Sequence, residues 1–89
     1  MQELTLCIPR ITTSTTKKFI FDKLKRLKWG FIECIREYNL KEDGFKMAII
    51  KIKFNSNDES KVYYEKLNKG ATLKVVYDNP WFWRLIKYK

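Results

Sequence analysis

A ten-residue run, Phe45-Lys46-Met47-Ala48-Ile49-Ile50-Lys51-Ile52-Lys53-Phe54, constrains this chain more than any other stretch. From Ile50 onward, Ile50, Ile52 and Phe54 fall on one side and Ile49, Lys51 and Lys53 on the other. Successive side chains of a strand point to opposite faces, so a period of two marks a half-buried strand. One face of its sheet must join a core, and the other must meet water or an anionic partner. The rest of the chain is expected to assemble around this run as the central strand.

Residues 4–8 alternate with Leu4, Leu6 and Ile8 together, and Pro9 is expected to end that first strand by removing a ladder donor. The Thr and Ser run at 12–16 offers helix caps, and residues 17–28 turn helical, with Ile20, Leu24 and Leu27 at i, i+4 and i+7. Gly30 is expected to close this helix in a left-handed conformation. Residues 31–38 read as a second strand of unclear phase, as at a bulge or a sheet edge. Asp43-Gly44 favours a hairpin that sets this strand antiparallel to the central one. Caps at 55–58 open a second helix to about Asn68, with Ser60, Tyr63, Tyr64 and Leu67 as its buried stripe, and Lys69-Gly70 stops it. Leu73, Val75 and Tyr77 mark a fourth strand, and Asp78-Asn79-Pro80 a turn. The aromatic end from Trp81 to Lys89 reads as a fifth strand or an ordered tail.

The order β-α-β-β-α-β predicts an α+β, ferredoxin-like sandwich: a four-stranded antiparallel sheet with both helices on one face. Right-handed crossovers give strand order 4-1-3-2. Eighty-nine residues make a single domain, with a core at about residues 3–78 and an aromatic extension at 79–89.

From Ile52 to Asn68, with Ile52-Lys53-Phe54 leading through a polar cap into a helix, the chain resembles an RNA recognition motif domain. Leu6-Cys7-Ile8-Pro9-Arg10-Ile11 then lies where that family has its first-strand hexamer, and residues 47–54 where it has its octamer. The resemblance implies an RRM-like fold and an RNA-binding open sheet face. Both motifs are degenerate: the stacking aromatics would fall at Cys7, Ile49 and Lys51, and none of these is aromatic. The Lys-rich composition with a Pro80-Trp81-Phe82-Trp83 tail carries a fainter resemblance to small domains of large DNA viruses, which would add a virion-associated location.

In place of rings the open face offers charge. Lys51, Lys53 and Lys74 are expected to point the same way, joined by Arg36 if Ile35 faces inward. Lysines contact phosphate as mobile point charges, so binding should be weakly specific and steeply salt-dependent. Tyr38, Trp81 and Trp83, with Arg84 beside them, could replace the missing rings; equally, Trp81, Phe82 and Trp83 could fold back as core. The partner expected is single-stranded RNA or another nucleic acid. The alternative is a protein-interaction or virion-structural module, including a homodimer, docking through Cys7, Ile49, Val76 and tail aromatics.

Composition supports this direction. The formal charge is +9, from nineteen Lys and Arg against ten Asp and Glu, and such an excess favours anionic partners. With no histidine, no Gly-rich phosphate loop and scattered acids, the chain is expected not to be an enzyme and to take no cofactor. Two cysteines outside any metal spacing predict no metal site. Cys7 and Cys34, separated by a strand in the expected order, should stay unbridged. No secretory leader or membrane span is apparent, so an intracellular location (cytoplasm or nucleus) without membrane association is expected.

Overall fold

The Phe45–Phe54 run forms one continuous strand, and its burial alternates without interruption, as the sequence demands. The computed structural model describes residues 2–88. In chain order the elements are β1 (Gln2–Thr12), α1 (Lys17–Lys25), β2 (Gly30–Asn39), β3 (Phe45–Phe54), α2 (Asp58–Asn68), β4 (Leu73–Asp78) and β5 (Trp81–Lys87).

The sheet has five antiparallel strands in the order β2-β3-β1-β5-β4. This corrects the expected ferredoxin-like, RRM-like β-α-β-β-α-β sandwich and its four-stranded order 4-1-3-2: the chain is α+β with five strands in one sheet and two helices. The seat beside β1 belongs to the tail strand β5, which pairs through Leu6 with Lys87 and Cys7 with Ile86, and β4 is displaced to the outer edge. The strand at the middle is therefore β1, with β3 next to it. The physical reason lies in the apolar faces. Trp83 and Leu85 of β5 are buried, whereas β4 contributes only Val75 fully, with Leu73 and Tyr77 half-buried. The segment with more apolar area takes the interior position, because burial rises with area removed from water. The hydrophobic core thus extends through Leu85, beyond the expected boundary at 78.

One face of the sheet supplies Leu4, Leu6, Ile8 and Ile11 from β1, Ile50, Ile52 and Phe54 from β3, and Trp83 and Leu85 from β5. Ile20 and Leu24 of α1 and Leu67 of α2 close over them, with Trp29 stacked between Phe54 and Tyr63. Thr16 caps α1, accepting a hydrogen bond from the Phe19 amide, and Asn57 caps α2 through Ser60. On the core face Lys46 is buried; its ammonium donates to the Thr15 carbonyl and pairs with the Glu37 carboxylate, tying the loop before α1 to the sheet.

Two local expectations change. Pro9 does not end β1: a bulge between Ile8 and Ile11 absorbs the missing donor, and the strand continues to Thr12. Gly30 does not close α1 either. Lys28 takes the left-handed conformation (φ 57°), and Gly30 starts β2 against β3, where an added Cβ would lie 1.9 Å from the Lys53 carbonyl oxygen. The unclear phase of β2 has a cause of the expected kind. It is an edge strand with a bulge between Ile32 and Cys34, which turns Ile35 inward and Arg36 outward.

Candidate nucleic-acid interface

The period of two that buries one face leaves the other free of helices. Register assigns to it Glu3, Thr5 and Cys7 from β1, Met47, Ile49, Lys51 and Lys53 from β3, and Cys34, Arg36 and Tyr38 from β2. On the far side Phe82, Arg84 and Ile86 of β5 lie with Lys74 and Val76 of β4, since their neighbours Trp83, Leu85 and Val75 face the core.

Across this face the charge is uneven. At one end the Lys51 ammonium lies 3.2 Å from Glu3 and 3.5 Å from Glu33, and Lys53 lies 2.9 Å from Glu33. The hydrogen bond from Lys53, helped by the charges of Lys53 and Lys51, holds the Glu33 carboxyl below its ordinary range. Lys51 is raised, first by its hydrogen bond to Glu3, and Lys53 by its bond to Glu33. The two lysines expected to stand bare are thus balanced by two carboxylates that the sequence pattern did not place. Such exposed pairs add little to stability, but they cancel the local field that would draw phosphate.

Toward the other end three of the cations have no such partners. Arg36, Lys74 and Arg84 form no ion pair among the described residues. Lys74 instead sits 4.8 Å from the centre of the Phe82 ring. Arg10, at the β1 bulge, lies over Phe45 at 4.0 Å and pairs with Glu42 at 2.7 Å.

Between these ends lies a concavity of about 320 Å³, lined by Thr5, Cys34, Arg36, Tyr38, Ile49, Lys51 and Tyr88. Its aliphatic centre is Ile49, and its rings are Tyr38 and Tyr88, each exposed over nearly half its surface. Tyr88 is held by its amide, which donates to the Thr5 carbonyl at 2.8 Å and extends the β1–β5 pairing by one residue. Arg36 lies directly across from Ile49 in the β2–β3 register, next to the Tyr38–Met47 pair.

Of the residues singled out from sequence, the structure brings Arg36, Tyr38 and Lys51 together here, with Lys53 beside them and Lys74 and Arg84 farther along the same face. It does not bring the tryptophans. Trp83 is 4% exposed, stacked on Tyr77 at 4.6 Å and edge-on to Phe19 at 6.0 Å. It is core and is withdrawn as a contact residue. Trp81 is 65% exposed, but the period of β5 sends it to the helix side, away from Tyr38. Arg84 is not beside the tryptophans either, because it alternates with them to the opposite face. Tyr88 was not foreseen. The signal was its spacing from Trp83 and Leu85, which places it on the open side once the tail is seated as a strand.

Cys7 and Cys34 are free thiols on either side of β3; Cys7 is buried, which raises its pKa, and Cys34 is exposed. Among the described residues no group of three His, Cys, Asp or Glu side chains could hold a metal ion. No helix is long and apolar enough to cross a membrane. No family model, curated protein or solved structure matches this chain.

Proposed function

We propose that this protein is a non-catalytic binder of single-stranded nucleic acid, RNA foremost, through the open face of its sheet. The observation that carries this reading is the concavity between Tyr38 and Tyr88, with Arg36 unpaired at its side and Ile49 as its centre. Single-strand binders combine a cationic groove with rings on which unpaired bases stack, a contact tolerant of sequence because every base has a flat π face. Tyr38 and Tyr88 supply the rings from the sheet's outer strand and from the residue after its last strand. They replace the aromatic residues absent at Cys7, Ile49 and Lys51. Arg36, Arg84 and Lys74 supply the phosphate contacts, while Lys51 and Lys53 contribute less because Glu3 and Glu33 hold them.

The test is a titration of a labelled oligouridylate at two salt concentrations, read by anisotropy. Intrinsic tryptophan emission is a poor reporter here, since Trp29 and Trp83 are buried and Trp81 points to the helix side. Salt-sensitive binding that weakens in Tyr38→Ala is the expected result. Absence of binding at low salt overturns the reading. A dimer mass by light scattering would then favour docking through the open-face Val76 and Phe82 of the β4–β5 hairpin, of which Val76 is 60% exposed.

A further inference from the structure

More than half of the net charge lies away from the sheet face. Residues 17–28 hold six Lys and Arg against one Asp, which is five of the nine net positive charges. A cationic helix side is commonly just solvated, but this one borders a groove of about 360 Å³ between α1 and β2, lined by Lys17, Lys18, Phe21, Ile32, Glu33, Cys34 and Ile35. Lys18, Phe21 and Lys25 lie at i, i+3 and i+7, one stripe of the helix. The Lys25 ammonium is 5.9 Å from the centre of the half-exposed Phe21 ring. The single carboxylate lining the groove, Glu33, is engaged by Lys53 and Lys51. Lys17, Lys18 and Lys25 form no ion pair among the described residues.

The groove also shares a wall with the open-face concavity. Cys34, at the β2 bulge, lines both. We infer that a bound single strand does not end on the sheet: it turns over the β2 edge at Cys34 and continues along α1, with phosphates against Lys17, Lys18 and Lys25 and one base against Phe21. The occupant is the same nucleic acid strand, selected by charge complementarity and by continuity with the open-face site, and the inference rests on the function proposed above. An aliphatic and aromatic floor under a row of unpaired ammonium groups suits a chain of alternating bases and phosphates. β2 is an edge strand, so no further strand obstructs the passage.

The experiment compares oligouridylates of about 4 and about 16 nucleotides, the span of single-strand site sizes, on wild type and on Lys17→Gln/Lys18→Gln/Lys25→Gln. All three lysines are exposed, so the variant should fold. For the long oligonucleotide the triple variant should bind about tenfold more weakly, and its salt slope should fall by about 2, for three lost single-strand phosphate contacts. The short one should bind both proteins alike. Phe21→Ala should weaken only the long one. Equal affinity and slope for the long oligonucleotide on both proteins overturns the path around β2, while loss in Tyr38→Ala with both lengths leaves the open-face site standing. Equal loss of both lengths in the triple variant also overturns it, since that is the mark of a diffuse field. If wild type binds neither length, both proposals fall.

Discussion

At one end of the open face Lys51 and Lys53 lie against Glu3 and Glu33; toward the other, Arg36, Arg84 and Lys74 form no ion pair among the described residues. Both ends have the same scaffold, the same solvent and cations of similar reach. They differ in what the neighbouring strand places opposite. A cation's value to a polyanion is set by the carboxylates beside it as much as by its own exposure, because an ion pair must open before phosphate can take its place. Rings divide less cleanly: Tyr38, Phe45 and Phe82 lie outside the balanced end, whereas Phe31 sits across from Lys53 and Tyr88, bonded to Thr5, stands level with Lys51.

The largest expected effect comes from the rings. Tyr38→Ala and Tyr88→Ala should each cost about 1–3 kcal/mol of oligonucleotide affinity, and the Phe variants should retain most of it. Affinity unchanged in both Ala variants would remove the uncharged half of the comparison. Next come the cations. Arg36→Gln with Arg84→Gln should lower the salt slope by about 1.4, at about 0.7 per phosphate contact, whereas Lys51→Gln with Lys53→Gln should lower it by much less. Equal slopes in the two double variants would show the ends to be equivalent. Third, Glu33→Gln should tighten binding roughly two- to fivefold by releasing Lys53 and one of the two partners of Lys51, the scale of an exposed ion pair. A loss of affinity there would mean that Glu33 serves to position Lys53.

The smallest effect is a pH dependence. Glu33 is held below its ordinary range, so its contribution to stability is complete above about 4.3 and disappears as pH falls through its lowered value. Lys51 and Lys53 are raised, so theirs is complete below about 10.4 and disappears as pH rises through the raised values. Between these limits the balanced end is constant. Below the lower one Lys53 is freed from Glu33, and affinity for an oligouridylate should rise slightly more in wild type than in Glu33→Gln. The same rise in both proteins would place its origin elsewhere.

Much of this was legible in the residues because it depends on short-range pattern. The span of β3, the inward turn of Ile50, Ile52 and Phe54, the cap before α2 and the hairpin at Gly44 all follow from periods and turn chemistry. The place of β5 was not legible, since adjacency in a sheet is decided by competition between β4 and β5 for the edge of β1. That competition turns on Trp83 and Leu85 against Val75, and local alternation is nearly the same in both segments. In the candidate site Lys51 was legible from phase alone, whereas Arg36 and Tyr38 depended on which of two phases β2 takes, and the bulge between Ile32 and Cys34 decides that. The pairing of Lys51 and Lys53 was hidden because Glu3 and Glu33 are distant in sequence, and Glu33 reaches them only through a bulge.

The position of β5 bears on how the chain reaches this state. β1 is joined on one side to β3, but its other side waits for residues about 80 positions downstream, Leu6 meeting Lys87 and Cys7 meeting Ile86. Closing so long a loop precedes the reward of the contacts, which slows folding. Until then β1 is the edge of the nascent β2-β3-β1 sheet and presents an unsatisfied row of amides and carbonyls, open to annealing with another chain. A version trimmed after Asp78 would keep both helices and three joined strands yet retain that sticky margin permanently, and should accumulate as aggregate.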